Sequence, residues 1–250
     1  MLRNKRESIE WLEFEIFQEF PQIAHAIFLR HGGVSLTPYH TLNVGGGTGD
    51  DKEHIQVNRS RIQKIMQCSS LVGGHQVHGV EVREAPFETE DEKCDGLMTS
   101  KEDVGLLVKH ADCQAAIVYD PLQNVIANVH AGWRGNVQNI YRATVRQLES
   151  RFGSKPENLI IGISPSLGPC CAQFINFATE LPPSFLEFQV KPLYFDFWEI
   201  SRKQWKQAGV LPHHLQIAGI CTFCNQEDYF SYRREKTTGR HATVILKKQN

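Results

Sequence analysis

Three short apolar runs, Val104 to Val108, Ala115 to Tyr119 and Val125 to Val129, crowd the middle of the chain. No other feature limits the fold as much. Short apolar runs bounded by turn residues read as strands covered on both faces. They come without the strand–helix alternation of a doubly wound parallel sheet. Further strands are expected at Ala24 to Leu29, Leu71-Val72, Val77 to Val82, Leu159 to Ile163, Ile217 to Ile220 and Ala242 to Leu246. Asp50-Asp51 suits the start of a helix running to about Met66, with Ile55, Ile62 and Ile65 near one face. A second helix is expected over Asn136 to Phe152, stopped by Gly153, and a third over Trp198 to Gln207, ended by Gly209. The expected fold class is α+β: one layered domain over residues 1–250, with mixed β-sheets flanked by helices.

Composition narrows the function classes. A formal net charge of −1 gives no reason to expect nucleic acid or an anionic membrane as partner. The first residues are charged and carry no apolar leader, and no window approaches the roughly 18 apolar residues of a membrane span. Seven cysteines, an odd number without a secretion signal, argue for reduced thiols and a cytoplasmic protein. The Gly-rich stretch from Asn43 to Gly49 matches neither GxGxxG nor a P-loop, so it reads as a turn and not as a nucleotide fingerprint. The acidic segment from Pro86 to Asp95 reads as a surface loop.

Three places put a metal-competent side chain at or near a strand end: His78 in Gln76-Val77-His78-Gly79, Cys113 in His110-Ala111-Asp112-Cys113, and His130 in Val129-His130-Ala131-Gly132-Trp133-Arg134-Gly135. Strand-end loops are where rigid scaffolds present functional groups. Two imidazoles and a thiolate are good zinc ligands, and three protein ligands are the catalytic rather than the structural pattern. His75, three residues from His78, would point to the opposite face of a strand. Cys221-x-x-Cys224 is half of a zinc or redox motif, for which Cys170-Cys171 are the available partners, although idle thiols are the default reading. Trp133 reads as packing.

The motifs Arg30-His31-Gly32-Gly33, Asn58-Arg59, Gln76-Val77-His78-Gly79, Asp95-Gly96-Leu97, Ala111-Asp112-Cys113, His130-Ala131-Gly132-Trp133-Arg134-Gly135, Gly168-Pro169-Cys170, Cys221-Thr222, Phe230-Ser231-Tyr232-Arg233-Arg234 and Thr238-Gly239-Arg240 occur in order. As a set they resemble the laccase-domain family, also called the purine nucleoside phosphorylase or polyphenol oxidase family, over roughly residues 25 to 245. The resemblance implies a zinc site at His78, Cys113 and His130. It also implies phosphorolysis of adenosine, inosine and S-methyl-5'-thioadenosine, with adenosine deamination. Partners would be a small nucleoside and phosphate. Two positions depart from the family's pattern: His110 stands before Ala111-Asp112-Cys113, and Cys171 to Ile175 follows Cys170 in place of the usual Tyr-Glu-Val.

In this reading zinc lowers the pKa of its bound water for deamination, and Asp112 is the acid/base partner. Arg134 and Arg59 are the anion-binding candidates, because a guanidinium clamps phosphate oxygens in a bidentate way. Asn43 is placed against ribose or phosphate. Copper is the other candidate metal, with a polyphenol oxidase activity, but the chain has none of the His-x-His pairs characteristic of multicopper oxidases. The trio suits zinc at least as well. Two rivals use the same residues: a cysteine hydrolase or deamidase with Cys113 as nucleophile and His130 as base, and a metal-bearing interaction module without turnover.

Overall fold

The computed structural model describes residues 1–87 and 92–249. The first half holds strands β1 (Leu2–Arg6), β2 (Ile9–Glu13) and β3 (Ile23–Phe28), helix α1 (Lys52–Met66), then β4 (Ser70–Val72), β5 (Val82–Glu84), β6 (Gly96–Thr99), β7 (Val104–His110) and β8 (Gln114–Asp120). After β9 (Val125–Ala131) come α2 (Trp133–Val137), α3 (Ile140–Phe152), β10 (Ile160–Ile163), α4 (Phe177–Glu180), β11 (Gln189–Lys191) and β12 (Tyr194–Phe195). The chain closes with α5 (Phe197–Gln207), β13 (Leu215–Ile217), α6 (Tyr232–Glu235) and β14 (His241–Lys247).

Two six-stranded mixed sheets result, in the orders β1-β2-β3-β14-β7-β4 and β13-β10-β8-β9-β6-β5, beside a small β11–β12 pair. Most pairs are antiparallel, and the parallel pairs β4–β7, β5–β6 and β10–β13 lie at sheet edges. The sheets face each other across one apolar layer, where Ile27, Leu106 and Ile245 of the first meet Leu97, Ile117 and Ile126 of the second. Helix α1 covers the outer face of the first sheet with Ile62 and Met66. Helices α3 and α5 cover the second, with Val145, Leu148 and Trp205. The layers therefore run helix, sheet, sheet, helix. Strands β8 and β9 are buried at every residue, which is why they appear as continuous apolar runs and not as alternating ones. Behind them Tyr141 and Trp205 stack with ring centroids 4.6 Å apart, an arrangement that contributes about 0.5–1.5 kcal/mol beyond the area it buries.

The α+β class holds, as do most elements to within a few residues. Asp51 caps α1 by accepting the Glu53 N–H, and Gly153 ends α3 in the left-handed conformation. Three expectations need correction. Residues 77 to 81 form no strand; the backbone N–H groups of residues 77 to 79 are taken by a carboxylate, described below, and only Val82 onward pairs in a sheet. The helix expected from Asn136 to Phe152 is two, because Asn139 is left-handed and its side chain caps α3. The last strand before the Cys221 region is Leu215–Ile217, not Ile217 to Ile220. The charged amino-terminal segment is a β-hairpin joined to the first sheet through β3. The expected acidic loop lies partly outside the described residues, at 88–91. No helix among the described residues is long and apolar enough to cross a membrane.

Candidate metal centre

Sheet register brings the trio together. In the β8–β9 hairpin Ala115 pairs with His130 and Gln114 with Ala131, so Cys113, one residue before β8, lies where β9 turns into α2. In the β6–β9 pair Gly96 opposes Val129, which sets Asp95 beside His130. The third ligand comes from the loop before β5. The ligand atoms of His78, Cys113 and His130 all lie within 4.8 Å of one another. The two imidazoles meet edge to face at 5.0 Å between centroids. His130 is buried, Cys113 half-buried and His78 exposed, so the centre runs from the sheet end to the surface.

Asp95 organises this geometry. One carboxylate oxygen accepts from His130 Nδ1 at 2.8 Å and from the His78 backbone N–H at 3.0 Å. The other accepts from the backbone N–H of Gly79 at 2.7 Å and of Val77 at 3.1 Å. A carboxylate only accepts, so His130 carries its proton on Nδ1 and turns Nε2 toward Cys113 and His78. This is the outer carboxylate commonly found behind a metal-binding imidazole. The three backbone bonds fold residues 77–79 around Asp95 and hold His78 at φ +62°, a left-handed conformation that costs a non-glycine residue about 1 kcal/mol or more. Gly132 allows the ligands to close up. A Cβ there would meet His78 Cδ2 at 2.7 Å and Cys113 Sγ at 3.2 Å.

The charges are strongly coupled. Burial pushes the Cys113 thiol up, but His130 and contacts with both imidazoles outweigh it and bring it down to about 6. Burial pushes His130 down, but Cys113 and Asp95 carry it up to about 9. Burial also works against the Asp95 carboxylate, which its hydrogen bonds to His130 and to the 77–79 backbone nevertheless hold below the usual range.

The other residues singled out from the sequence fall into different places. Asp112 adjoins Cys113 at φ +76°, but its carboxylate accepts from Thr222 Oγ1 at 2.7 Å and from the Arg233 N–H at 2.6 Å. It pins the turn that carries the thiol. Arg134 is exposed on α2, its guanidinium 4.6 Å above the Trp133 ring, and Trp133 packs edge-on against Phe174. Asn43 is fully buried. Its amide nitrogen donates to Thr48 and Asp50, and its oxygen accepts from the N–H groups of Gly45 and Arg240. Arg59 donates to the Val44 carbonyl at 3.1 Å, so both residues brace the 43–49 turn. His75 is exposed and, like His78, lies outside any named strand, so the expected opposite faces of one strand do not arise. His110 is buried between the sheets, with Nε2 2.8 Å from Thr243 Oγ1.

Three contributors were not singled out for a role. Asp95 and Arg240 both sit in motifs visible in the sequence, the second close enough for its charge to couple to Cys113 and Asp112. Gln114 gave no such signal. Its Oε1 accepts from Tyr141 and Ser201 hydroxyls, each at 2.7 Å, and its Nε2 donates to the Phe197 carbonyl, which ties α3 and α5 to the residue after Cys113.

Comparison with known proteins follows the same outline. Residues 24–248 match the family described as "Multi-copper polyphenol oxidoreductase laccase". The chain is 33% identical over 228 residues to "Purine nucleoside phosphorylase YfiH" of Shigella flexneri, covering 86% of this chain and 90% of that one. It is 31% identical over 245 residues to the protein of the same name from Escherichia coli strain K12, covering 92% and 97%. Among solved structures it is similar to YlmD from Geobacillus stearothermophilus, with TM-score 0.86, 26% identity and 98% of both chains covered.

Proposed function

This chain belongs to the multi-copper polyphenol oxidoreductase laccase family, and from that premise we propose that it is a cytoplasmic, zinc-dependent purine nucleoside phosphorylase. Its substrates in this reading are adenosine, inosine and S-methyl-5'-thioadenosine with phosphate, and it also deaminates adenosine. The observation that carries the reading is the Asp95-anchored trio of His78, Cys113 and His130, in a chain whose curated relatives bear the phosphorylase name.

The donor set fits zinc: two imidazoles, one thiolate with a depressed pKa, and a carboxylate that fixes the ligating tautomer. His78, Cys113 and His130 would hold the ion. Zinc there supplies Lewis acidity and lowers the pKa of water. The chain's own residues do the rest. Asp95 keeps the His130 proton on Nδ1. Asp112, through Thr222 and the Arg233 N–H, holds the Cys113 turn, and this positioning role replaces the acid/base role expected for it. Arg134, exposed beside the trio, is the group that steers phosphate toward the site. Asn43 and Arg59 act on substrate only through the 43–49 turn and Arg240. Metal analysis combined with product detection tests the reading. Phosphate-dependent release of adenine from adenosine by zinc-loaded protein is expected, and zinc-loaded protein that turns over no nucleoside with or without phosphate refutes it.

One observation favours a second reading. Cys113 at about 6 beside His130 at about 9 has the charge distribution of a cysteine nucleophile and its base. The two diverge under alkylation. If Cys113 is a ligand, iodoacetamide labels it slowly until a chelator is added, and chelation abolishes activity. If it is a nucleophile, labelling is fast in active protein, substrate protects it, and chelators leave activity intact.

A further inference from the structure

A second group of thiols lies on the segments that buttress the Cys113 turn. Cys170 and Cys171 follow Gly168-Pro169, and Cys221 and Cys224 form a Cys-x-x-Cys loop. Their four sulfurs lie within 4.8 Å of one another. Cys224 Sγ is 3.6 Å from that of Cys170 and 3.5 Å from that of Cys171. These separations are far beyond the roughly 2.0 Å of a disulfide, and all seven cysteines are free. They approach the edge of a zinc–thiolate tetrahedron, which is about 3.8 Å for a Zn–S bond of about 2.3 Å. We propose that Cys170, Cys171, Cys221 and Cys224 bind one zinc ion in a closed, structural four-thiolate site.

The surroundings suit a site that becomes dianionic when four thiols lose their protons to the ion. The Gly168 N–H donates to Cys221 Sγ at 3.3 Å, and Gly168 permits that approach because a Cβ there would meet Cys221 Cβ at 3.0 Å and the Trp198 ring at 2.9 Å. Arg234 donates to the Thr222 and Phe223 carbonyls inside the Cys-x-x-Cys loop, and Arg233 to the Cys171 and Gln173 carbonyls. Two guanidinium groups thus brace the two loops that carry the four thiols. Cys170 and Cys224 are exposed, which leaves the ion a path in. The compact spacing suits a single ion over a sulfide-bridged cluster, whose two irons would hold opposite thiolate pairs farther apart.

The role follows from the connections. The segments through Ser166 and Cys221 already run side by side, and Thr222, Arg233 and Leu167 each donate a hydrogen bond to Asp112. An ion joining residues 170–171 to 221–224 locks the frame on which Asp112 holds Cys113. It leaves no position for water and does no chemistry on substrate.

The test counts metal in protein made with zinc supplied and purified under reducing conditions. Two zinc ions per chain are expected in the unaltered protein, and one in Cys221→Ser/Cys224→Ser. One is also expected in the His78→Ala/Cys113→Ala/His130→Ala variant, which retains the four thiols. A triple variant without zinc overturns the proposal, as does iron in place of zinc. Because the serine variant can fail to fold, the triple variant is also produced with cobalt. Intense thiolate-to-cobalt charge-transfer absorption with tetrahedral d–d bands is expected, and colourless protein overturns the assignment. Thiols counted after denaturation in chelator should equal the six cysteines left when Cys113 is removed from seven; fewer means a disulfide within the group and refutes the site.

Discussion

Replacing Asp95 by asparagine removes one charge and almost no volume, so it isolates what the carboxylate does. Both oxygens of Asp95 accept two hydrogen bonds: one from the His78 N–H and His130 Nδ1–H, the other from the Val77 and Gly79 N–H groups. An amide can present an oxygen to only one of these pairs and must turn its NH2 toward the other. Two partly buried donors then face a donor, at about 1 kcal/mol or more each. Metal-stripped Asp95→Asn should therefore be destabilised by at least about 2 kcal/mol. For a chain of this size that lowers the unfolding midpoint by roughly 4 °C or more. The second effect is on metal. Loss of the outer carboxylate behind a ligating imidazole typically costs about 10–100-fold in affinity, or about 1.4–2.7 kcal/mol. The assay is a competitive titration against a chromophoric zinc chelator, run in a Cys221→Ser/Cys224→Ser background so that only one class of site is read, beside thermal unfolding of the metal-stripped protein. Affinity within twofold of the parent together with an unchanged midpoint would refute the claim that Asp95 builds the centre.

Three further outcomes are expected. His78→Ala, Cys113→Ala and His130→Ala should each lower bound metal by one ion per chain while leaving the circular dichroism spectrum intact; an unchanged metal count removes that residue from the ligand set. Arg134→Ala should lower phosphorolysis by about 10–100-fold, the loss of one charge-assisted contact at about 1.5–3 kcal/mol, and deamination far less, because only phosphorolysis needs an anion placed as nucleophile. Equal losses, with adenine, hypoxanthine and inosine resolved chromatographically, would make Arg134 a structural support. Acid should destabilise the metal-stripped protein through two buried imidazoles. Burial pushes His25 down to about 4; burial and then Arg30 push His241 down to about 3. The unfolded chain therefore binds more protons below its own pKa of about 6.5, so this stability is fully present above that pH and is lost as pH falls toward 4. Below about 6 each group contributes a slope near 1.4 kcal/mol per pH unit. A stability that stays flat between pH 6.5 and 5 in denaturant titrations would contradict the neutral, backbone-accepting state in which His25 and His241 take the N–H groups of Phe14 and Phe230.

What the sequence revealed, and what it hid, divides along the range of the interactions. Strands β7, β8 and β9 were legible because burial on both faces writes itself as unbroken apolar runs, and the trio because its motifs sit at the ends of those runs. The 77–81 segment misled because its apolar residues, Val77 and Val80, imitate a strand while the backbone N–H groups of Val77, His78 and Gly79 are claimed by Asp95, sixteen to eighteen residues away in sequence. No local pattern shows that a carboxylate will substitute for a strand partner. Asn43 misled in the opposite sense: a buried amide in a Gly-rich turn looks ready for a ligand, and only the fold shows that Gly45, Thr48, Asp50 and Arg240 use up its donors and acceptor. Asp112 stands between these cases. Its place beside Cys113 was visible, but its partners Thr222 and Arg233 arrive from more than a hundred residues later. A polar side chain next to a metal ligand can face the reaction or hold the frame, and its hydrogen-bond partners decide between the two. For Asp112 both oxygens are committed to the frame. The residue before Cys113 and the residue after it, Gln114, therefore fix the thiolate's position from opposite sides, one through the loops carrying the four clustered cysteines and the other through α3 and α5.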